Sequence, residues 1–199
     1  NLFRPISAIS NEYSTLYLVS NPENSNETRL ALSYSDRKED YPLFLNVQSA
    51  KIIALFGRMT NFAAIDEEGA LIFLPKRSLK NPNQVIKAQK LIHHKKIVSI
   101  AFSNDTYCVL DSDGTIYTPD NKNICAQIEG LKIISISGYN SLFAVSDDGR
   151  VFGYGSNGSG QLGIGKETIF AKEFTEIKSL SKYKIKAVYT GLSHTLFQT

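Results

Sequence analysis

Cysteine is scarce in this chain: Cys108 and Cys125 are the only two among 199 residues. Two thiols so far apart supply neither a zinc cluster nor a disulfide framework, so free thiols, no metal site and a reducing intracellular setting, cytoplasmic or nuclear, are expected. Long apolar runs are missing too. No window approaches the roughly eighteen apolar residues of a membrane span, so no membrane partner is expected, and the opening NLFRPISAIS lacks the apolar core of a signal peptide. The chain begins without Met, which predicts a piece of a longer protein. An excess of one charge is also lacking. Lys and Arg number 22 against 19 Asp and Glu, and a formal charge of +3 is too small to announce direct nucleic-acid binding. Sustained amphipathic helical periodicity is absent as well.

What is present is an ordinary globular composition, 42% hydrophobic and 21% charged, arranged in short β-branched and aromatic runs. The stretch Ser135–Gly165, SISGYNSLFAVSDDGRVFGYGSNGSGQLGIG, is the clearest. It predicts strands at Ile133–Ser137, Leu142–Val145 and Val151–Tyr154, with a turn at Gly138 and a hairpin at Asp148-Gly149. Asp-Gly between apolar runs supplies the positive φ of a tight antiparallel reversal.

Weaker copies recur along the chain. The strand-turn-strand pattern appears at Ile6–Ser20, Lys51–Asp66, Lys96–Asp111, Lys132–Ser146 and Lys184–Thr199. Ile9, Leu55, Ile100, Ile136 and Val188 occupy equivalent places, spaced 46, 45, 36 and 52 residues apart. A variable period in the forties made of several short strands belongs to propeller blades. Glu68-Gly69 and Asp113-Gly114 repeat the hairpin signal in phase, each ahead of a short apolar strand. The first unit replaces that turn with the polar insertion Asn21–Thr28, expected to be a surface loop. The resulting division is one repeat domain with units of about 1–47, 48–92, 93–129, 130–181 and an incomplete 182–199. Fourth strands are predicted at Leu43–Val47, Cys125–Ile128 and Phe174–Ile177, and the best helix candidates are Val85–His94 and Lys166–Phe174.

These residues resemble the repeat of the regulator of chromosome condensation family of seven-bladed β-propellers. Its units carry a Gly-x-x-His-Ser/Thr-Leu segment, an Asp-Gly-x-Val turn and a Gly-x-Asn-x-x-Gly-Gln-Leu-Gly tail. Here Gly138, Gly191 and His194 match the first element, Gly69, Gly114, Asp148 and Gly149 the second, and Gly155, Asn157, Gly158, Gln161, Leu162 and Gly163 the third. Ser103 stands where the other units have Gly138 and Gly191, Ser141 stands where the family has His, and two units lack the glycine-rich tail. The resemblance implies an all-β partial propeller and a non-catalytic protein-interaction or scaffold module. It also implies two alternatives: a guanine-nucleotide exchange factor for a Ran-type small GTPase, or the substrate-recruiting domain of a ubiquitin ligase or BTB adaptor. An open arc of blades has two unpaired edges, which predicts self-association.

Other motifs have the outline of a chemical site without its parts. Gly153–Gly158 satisfies G-x-G-x-x-G, but three more glycines follow where a dinucleotide site needs a helix. Gly160–Glu167, GQLGIGKE, puts a carboxylate where a P-loop has its magnesium-binding hydroxyl. No cofactor is therefore expected. His93-His94 diverge on any regular element and lack a third ligand. Lys87, Lys90, Lys95 and Lys96, and Lys178, Lys182, Lys184 and Lys186, read as solvated basic faces. His194 is expected to fix a turn rather than act as a base, and Asp66, Glu67, Glu68, Asp111, Asp113, Asp147 and Asp148 to serve turn chemistry at hairpin tips. No catalytic residue is assigned. The sequons at Asn26, Asn104 and Asn157 arise readily by chance in an Asn- and Ser-rich chain.

Overall fold

A computed structural model describes residues 4–10, 14–20, 28–34, 43–48, 51–58, 61–75, 85–87, 96–103, 106–118, 128, 130–191 and 194–199. The regular secondary structure of the described residues is almost wholly strand, and the chain divides into two compact units, 1–96 and 97–199.

In the first unit, β1 (Arg4–Ser10), β2 (Ser14–Ser20), β3 (Thr28–Tyr34) and β4 (Leu43–Gln48) form an antiparallel meander. A second meander comprises β5 (Ile52–Arg58), β6 (Asn61–Asp66) and β7 (Leu71–Pro75). Two-residue spacing aims Leu16, Leu18, Leu30 and Leu32 at one face, where they pack with Phe62, Ala64, Ile72 and Leu74 of the second sheet. Each fully buried side chain of this size contributes about 1.5–3 kcal/mol.

The second unit contains β9 (Ile97–Phe102), β10 (Tyr107–Asp111) and β11 (Ile116–Tyr117), then the four-stranded meander β12 (Ile133–Gly138), β13 (Ser141–Ser146), β14 (Val151–Ser156) and β15 (Phe170–Glu176). The hairpin β16 (Ala187–Thr190) and β17 (Thr195–Gln198) follows. Every residue of β13 is buried, because both faces of its sheet are covered. Leu142 and Ala144 pack with Cys108, Leu110 and Ile116 on one side. Phe143 and Val145 pack with Ile185 and Val188 on the other. Apart from one short parallel strand added to the first, the sheets are open and antiparallel, of the propeller-blade kind, and among the described residues none closes on itself.

Neither expected helix is seen among the described residues, and part of each is strand. Of Val85–His94, residues Val85–Lys87 form β8, which adds to the edge of β4 in parallel, and the remainder lies outside the described residues. β-branched Val85 and Ile86 suit a strand, and the free edge of β4 supplies backbone partners. Of Lys166–Phe174, the last five residues belong to β15. There Ala171 and Phe174 are buried on opposite faces, Ala171 toward Val188 and its neighbours and Phe174 toward Cys108 and its neighbours. An odd spacing produced by a strand covered on both sides imitates a helical repeat. The expected strand Leu43–Val47 coincides with β4; Cys125–Ile128 lies outside the described residues except for Ile128, which is buried in a 3-10 turn. The insertion before β3 is likewise undescribed except for Thr28.

One irregularity repeats without any cue in residue type. The first strand of four successive meanders carries a register shift at the same place, skipping Ile6, Ile53, Val98 and Ile134. Such bulges turn a side chain out of the regular alternation. Ile53, Val98 and Ile134 are exposed, by 52%, 44% and 44%, beside buried Ile52, Ile97 and Ile133, and the extra residue shifts the phase so that Ile97 and Ile100, and Ile133 and Ile136, are buried three apart instead of two.

Candidate functional site

Three hairpin turns share one geometry. Gly69, Gly114 and Gly149 adopt φ of 77°, 91° and 92° and donate to the carbonyls of Asp66, Asp111 and Ser146 at 2.9, 3.2 and 2.9 Å. In two turns a buried carboxylate acts as the clamp. Asp66 Oδ1 accepts from the amides of Glu68 and Ala70 (3.1 and 2.8 Å), and Asp111 Oδ1 from Asp113 and Thr115 (3.0 and 2.8 Å). Asp66 and Asp111 thus differ from the expected exposed tip acids: both are buried, while Glu67, Glu68, Asp113, Asp147 and Asp148 are exposed. In the third turn Ser146 takes the buried place, and the carboxylate moves out to Asp148. That group accepts from Arg150 Nε at 2.8 Å and from the Ser146 hydroxyl. The Arg150 hydrogen bond, aided by Ser146, holds the Asp148 carboxyl down at about 2.

The turns also join neighbouring sheets. The Gly114 carbonyl accepts from the Ile133 amide at 2.8 Å, and the Gly149 carbonyl from the Ile185 amide at 3.3 Å. A Cβ on Gly114 would lie 2.6 Å from Lys132 Cγ and 2.9 Å from Ile133 N, and one on Gly149 would lie 2.8 Å from Lys184 Cγ. The lysine stems cover the glycines and leave no room for a side chain.

At the opposite ends of these strands stand the other glycines of the repeat. A Cβ on Gly138 would meet Phe102 O at 2.4 Å; one on Gly191 would meet His194 Cε1 at 2.6 Å, so the imidazole lies directly against Gly191. The Gly191 amide donates to the His194 carbonyl at 2.9 Å. Ser103 replaces glycine by a different device: its hydroxyl and amide both bond to Thr106, closing the same loop.

Asn157 is the hub of the glycine-rich tail. It is buried, its Nδ2 donates to the carbonyls of Gly165 (2.7 Å) and Thr168 (2.6 Å), and its Oδ1 accepts from the Leu162 amide (2.9 Å). Leu162 is buried against Ile177 and its neighbours, in space kept by Gly153, whose Cβ would lie 2.8 Å from Leu162 Cδ2. Gln161 Oε1 accepts from the Ser159 amide (2.9 Å), and its Nε2 donates to Ser156 Oγ (3.1 Å). Gly155, Gly160, Gly163 and Gly165 have positive φ, whereas Gly158 does not and has only Ile169 Cγ2 within reach, at 3.6 Å. After Gly158 the chain enters a turn, and Gly160–Glu167 links two antiparallel strands, with Lys166 and Glu167 exposed.

These loops meet in a cleft of about 500 Å³ between the β12–β15 sheet and the β16–β17 hairpin. Tyr139, Asn140 and Ser141 come from the β12–β13 loop, Ser159 and Gln161 from the tail, and Thr190, Gly191, His194 and Thr195 from the last hairpin, with Phe143 and Phe197 beneath. The two phenyl rings pack edge to face, centroids 5.9 Å apart. Ser137 Oγ joins the walls by bonding Thr190 Oγ1 at 2.8 Å and the Thr190 amide at 3.0 Å, and Ser141 Oγ donates to the Ser156 carbonyl at 2.7 Å. The cleft therefore unites Gln161 and His194 of the sequence-derived residues, with Gly191 beneath the imidazole. Tyr139, Asn140, Ser159 and Thr195 have no signal of their own in the sequence.

The remaining candidates lie elsewhere. Cys108 is buried in the core, and Cys125, His93, His94, Lys90 and Lys95 lie outside the described residues. Lys96, Lys178, Lys182, Lys184 and Lys186 are exposed; Lys87 belongs to β8. Among the described residues no three His, Cys, Asp or Glu side chains group to hold a metal, and no helix is long and apolar enough to cross a membrane.

The regulator of chromosome condensation (RCC1) repeat matches residues 148–198, and a second description of the same repeat matches residues 132–161. Solved structures share the fold at low identity. Human WBSCR16 superposes with a TM-score of 0.70 at 12% identity over 98% of this chain and 57% of that one. Yeast RCC1 (Prp20) in complex with Kap60 gives 0.70 at 12% over 98% and 54%. Prp20p from Saccharomyces cerevisiae, described with its binding properties to Gsp1p and histones, gives 0.55 at 13% over 98% and 68%. The chain thus spans little more than half the length of the first two. Residues 132–198 therefore carry RCC1-like repeats, and the sheets of the chain share the fold of the RCC1 β-propellers on which it superposes.

Proposed function

We propose that this chain is a non-catalytic protein-interaction module, part of a larger propeller, which holds a segment of its partner in the cleft between the β12–β15 sheet and the β16–β17 hairpin. The observation that supports this is the cleft itself. Three loops distant in sequence present side chains at one place, and Asn157, Gln161 and the Ser137–Thr190 bond fix them there. Loops carried on rigid strands are the usual location of binding residues. The repeat limits near 47, 92, 129 and 181, and the structural role assigned to the motif glycines, Asp148, Asn157, Gln161, Leu162 and His194, belong to the same proposal.

The test is co-purification of an identified partner with the full-length protein and its variants. A partner retained by wild type and by Asp113→Ala, but lost with Tyr139→Ala combined with Thr195→Ala, is the expected result. Equal retention by the cleft variant overturns the reading. The exchange-factor and ligase-adaptor alternatives rest on the family resemblance alone. Acceleration of nucleotide release from Ran by the full-length protein would replace the scaffold reading with the first of them.

A further inference from the structure

The cleft contrasts with the rest of the molecule in charge. A fifth of the chain is charged, 21%, yet none of the described lining residues is Asp, Glu, Lys or Arg. The walls offer the His194 imidazole, two carboxamides, Asn140 and Gln161, and the hydroxyls of Tyr139, Ser141, Ser159, Thr190 and Thr195. Several of these groups are held in place. Gln161 is fixed at both ends of its amide, Ser141 bonds the Ser156 carbonyl, and Thr190 bonds Ser137 across the walls. The volume, about 500 Å³, falls in the range of sites that enclose a ligand, roughly 300–1,000 Å³.

Resting on the interaction-module reading, we propose that the cleft selects an extended, uncharged peptide segment of the partner, bearing Ser, Thr, Asn or Gln side chains, and rejects charged segments. An ionised side chain entering the cleft surrenders part of its hydration and meets no carboxylate, ammonium or guanidinium among the described lining residues. A neutral amide or hydroxyl exchanges water for groups that both donate and accept, as does the alternating N–H and C=O of an extended backbone. Specificity arises by exclusion as much as by attraction.

The experiment uses three fluorescein-labelled heptapeptide pools, read by anisotropy against the full chain. One pool is randomised over Ser, Thr, Asn, Gln, Gly and Ala; the others carry Glu or Lys at alternate positions. The neutral pool is expected to bind about tenfold or more tighter than either charged pool. Ser159→Lys, at an exposed tail position, is expected to weaken the neutral pool about tenfold and to gain affinity for the Glu pool, with the melting temperature unchanged. A charged pool that binds wild type as tightly as the neutral one, in a Ser159→Lys-sensitive manner, overturns the selectivity and leaves the interaction module standing. Binding by none of the pools, or binding indifferent to Ser159→Lys, overturns this inference, whereas the interaction module falls only with the partner co-purification.

Discussion

The Asp111 turn and the Ser146 turn have the same backbone and different anchors. In the first, a buried carboxylate accepts from two turn amides and from the Tyr117 hydroxyl at 3.1 Å. In the second, a buried hydroxyl occupies that position and the carboxylate sits outside on Asp148, paired with Arg150 at 2.7 Å. Both turns hand a glycine carbonyl toward the next sheet, Gly114 to Ile133 at the start of β12 and Gly149 to Ile185, two residues before β16. The difference teaches that the repeat preserves the glycine and the bond it makes to the next sheet, and leaves the anchoring chemistry free to vary.

Six substitutions, in four comparisons, test that separation. The largest effect is expected from Gly114→Ala and Gly149→Ala, each lowering stability by about 2–4 kcal/mol, because a Cβ faces both a left-handed backbone and a neighbouring strand. Urea denaturation measures it, and a near-neutral Gly149→Ala would break the equivalence of the two turns. Next, Asp111→Ala should cost about 2–3 kcal/mol and Ser146→Ala about 1 kcal/mol, since the carboxylate satisfies more buried donors. The reverse order in thermal melts would show that the hydroxyl is the stronger anchor.

The third test uses acid. The folded-state value of Asp148, about 2, lies below its unfolded value, so its stabilisation is present above about pH 4 and is lost as pH falls toward 2. Because the side chain is 47% exposed, solvent and salt weaken this contribution. Wild type and Asp148→Asn should therefore differ modestly at neutral pH and converge near pH 2. An NMR titration midpoint of Asp148 in the ordinary carboxylate range would mean the Arg150 pair is not made. The smallest effect is expected at Gly158, where Ala should change stability by less than about 0.5 kcal/mol, as its φ is ordinary and its space open. A loss comparable with that of Gly149→Ala would assign the tail glycine a contact of its own.

Strands β12, β13 and β14 were legible in the sequence to within one or two residues, because Gly138 and Asp148-Gly149 mark their ends by local chemistry that no distant contact overrides. β15 was legible only at its end, where the predicted strand Phe174–Ile177 overlaps it, since cover on both faces put Ala171 and Phe174 three apart and gave its first half a helical look. β8 was unreadable for another reason: its partner β4 lies about forty residues earlier, and a parallel pairing leaves no turn signal. Asp66 and Asp111 were recognised as turn residues, yet their burial depends on the sheets around them. The cleft was the least legible, because its walls are brought together by bonds such as Ser137 to Thr190, 53 residues apart. Only Gln161 and His194, with Gly191 beneath the ring, stood out beforehand, each through the repeat pattern.

The bond from a turn glycine to the following sheet has a consequence for how such a chain can grow. Ile100 and Ile136 are 36 residues apart, Ile136 and Val188 are 52, and yet Gly114 and Gly149 engage Ile133 and Ile185 in the same way. The longer unit carries its glycine-rich tail, between Ser156 and Phe170, at the end away from that bond. The glycine carbonyl acts as an indexing pin: sequence can be duplicated, lengthened or pruned between successive pins while each new unit still seats in register on the one before it.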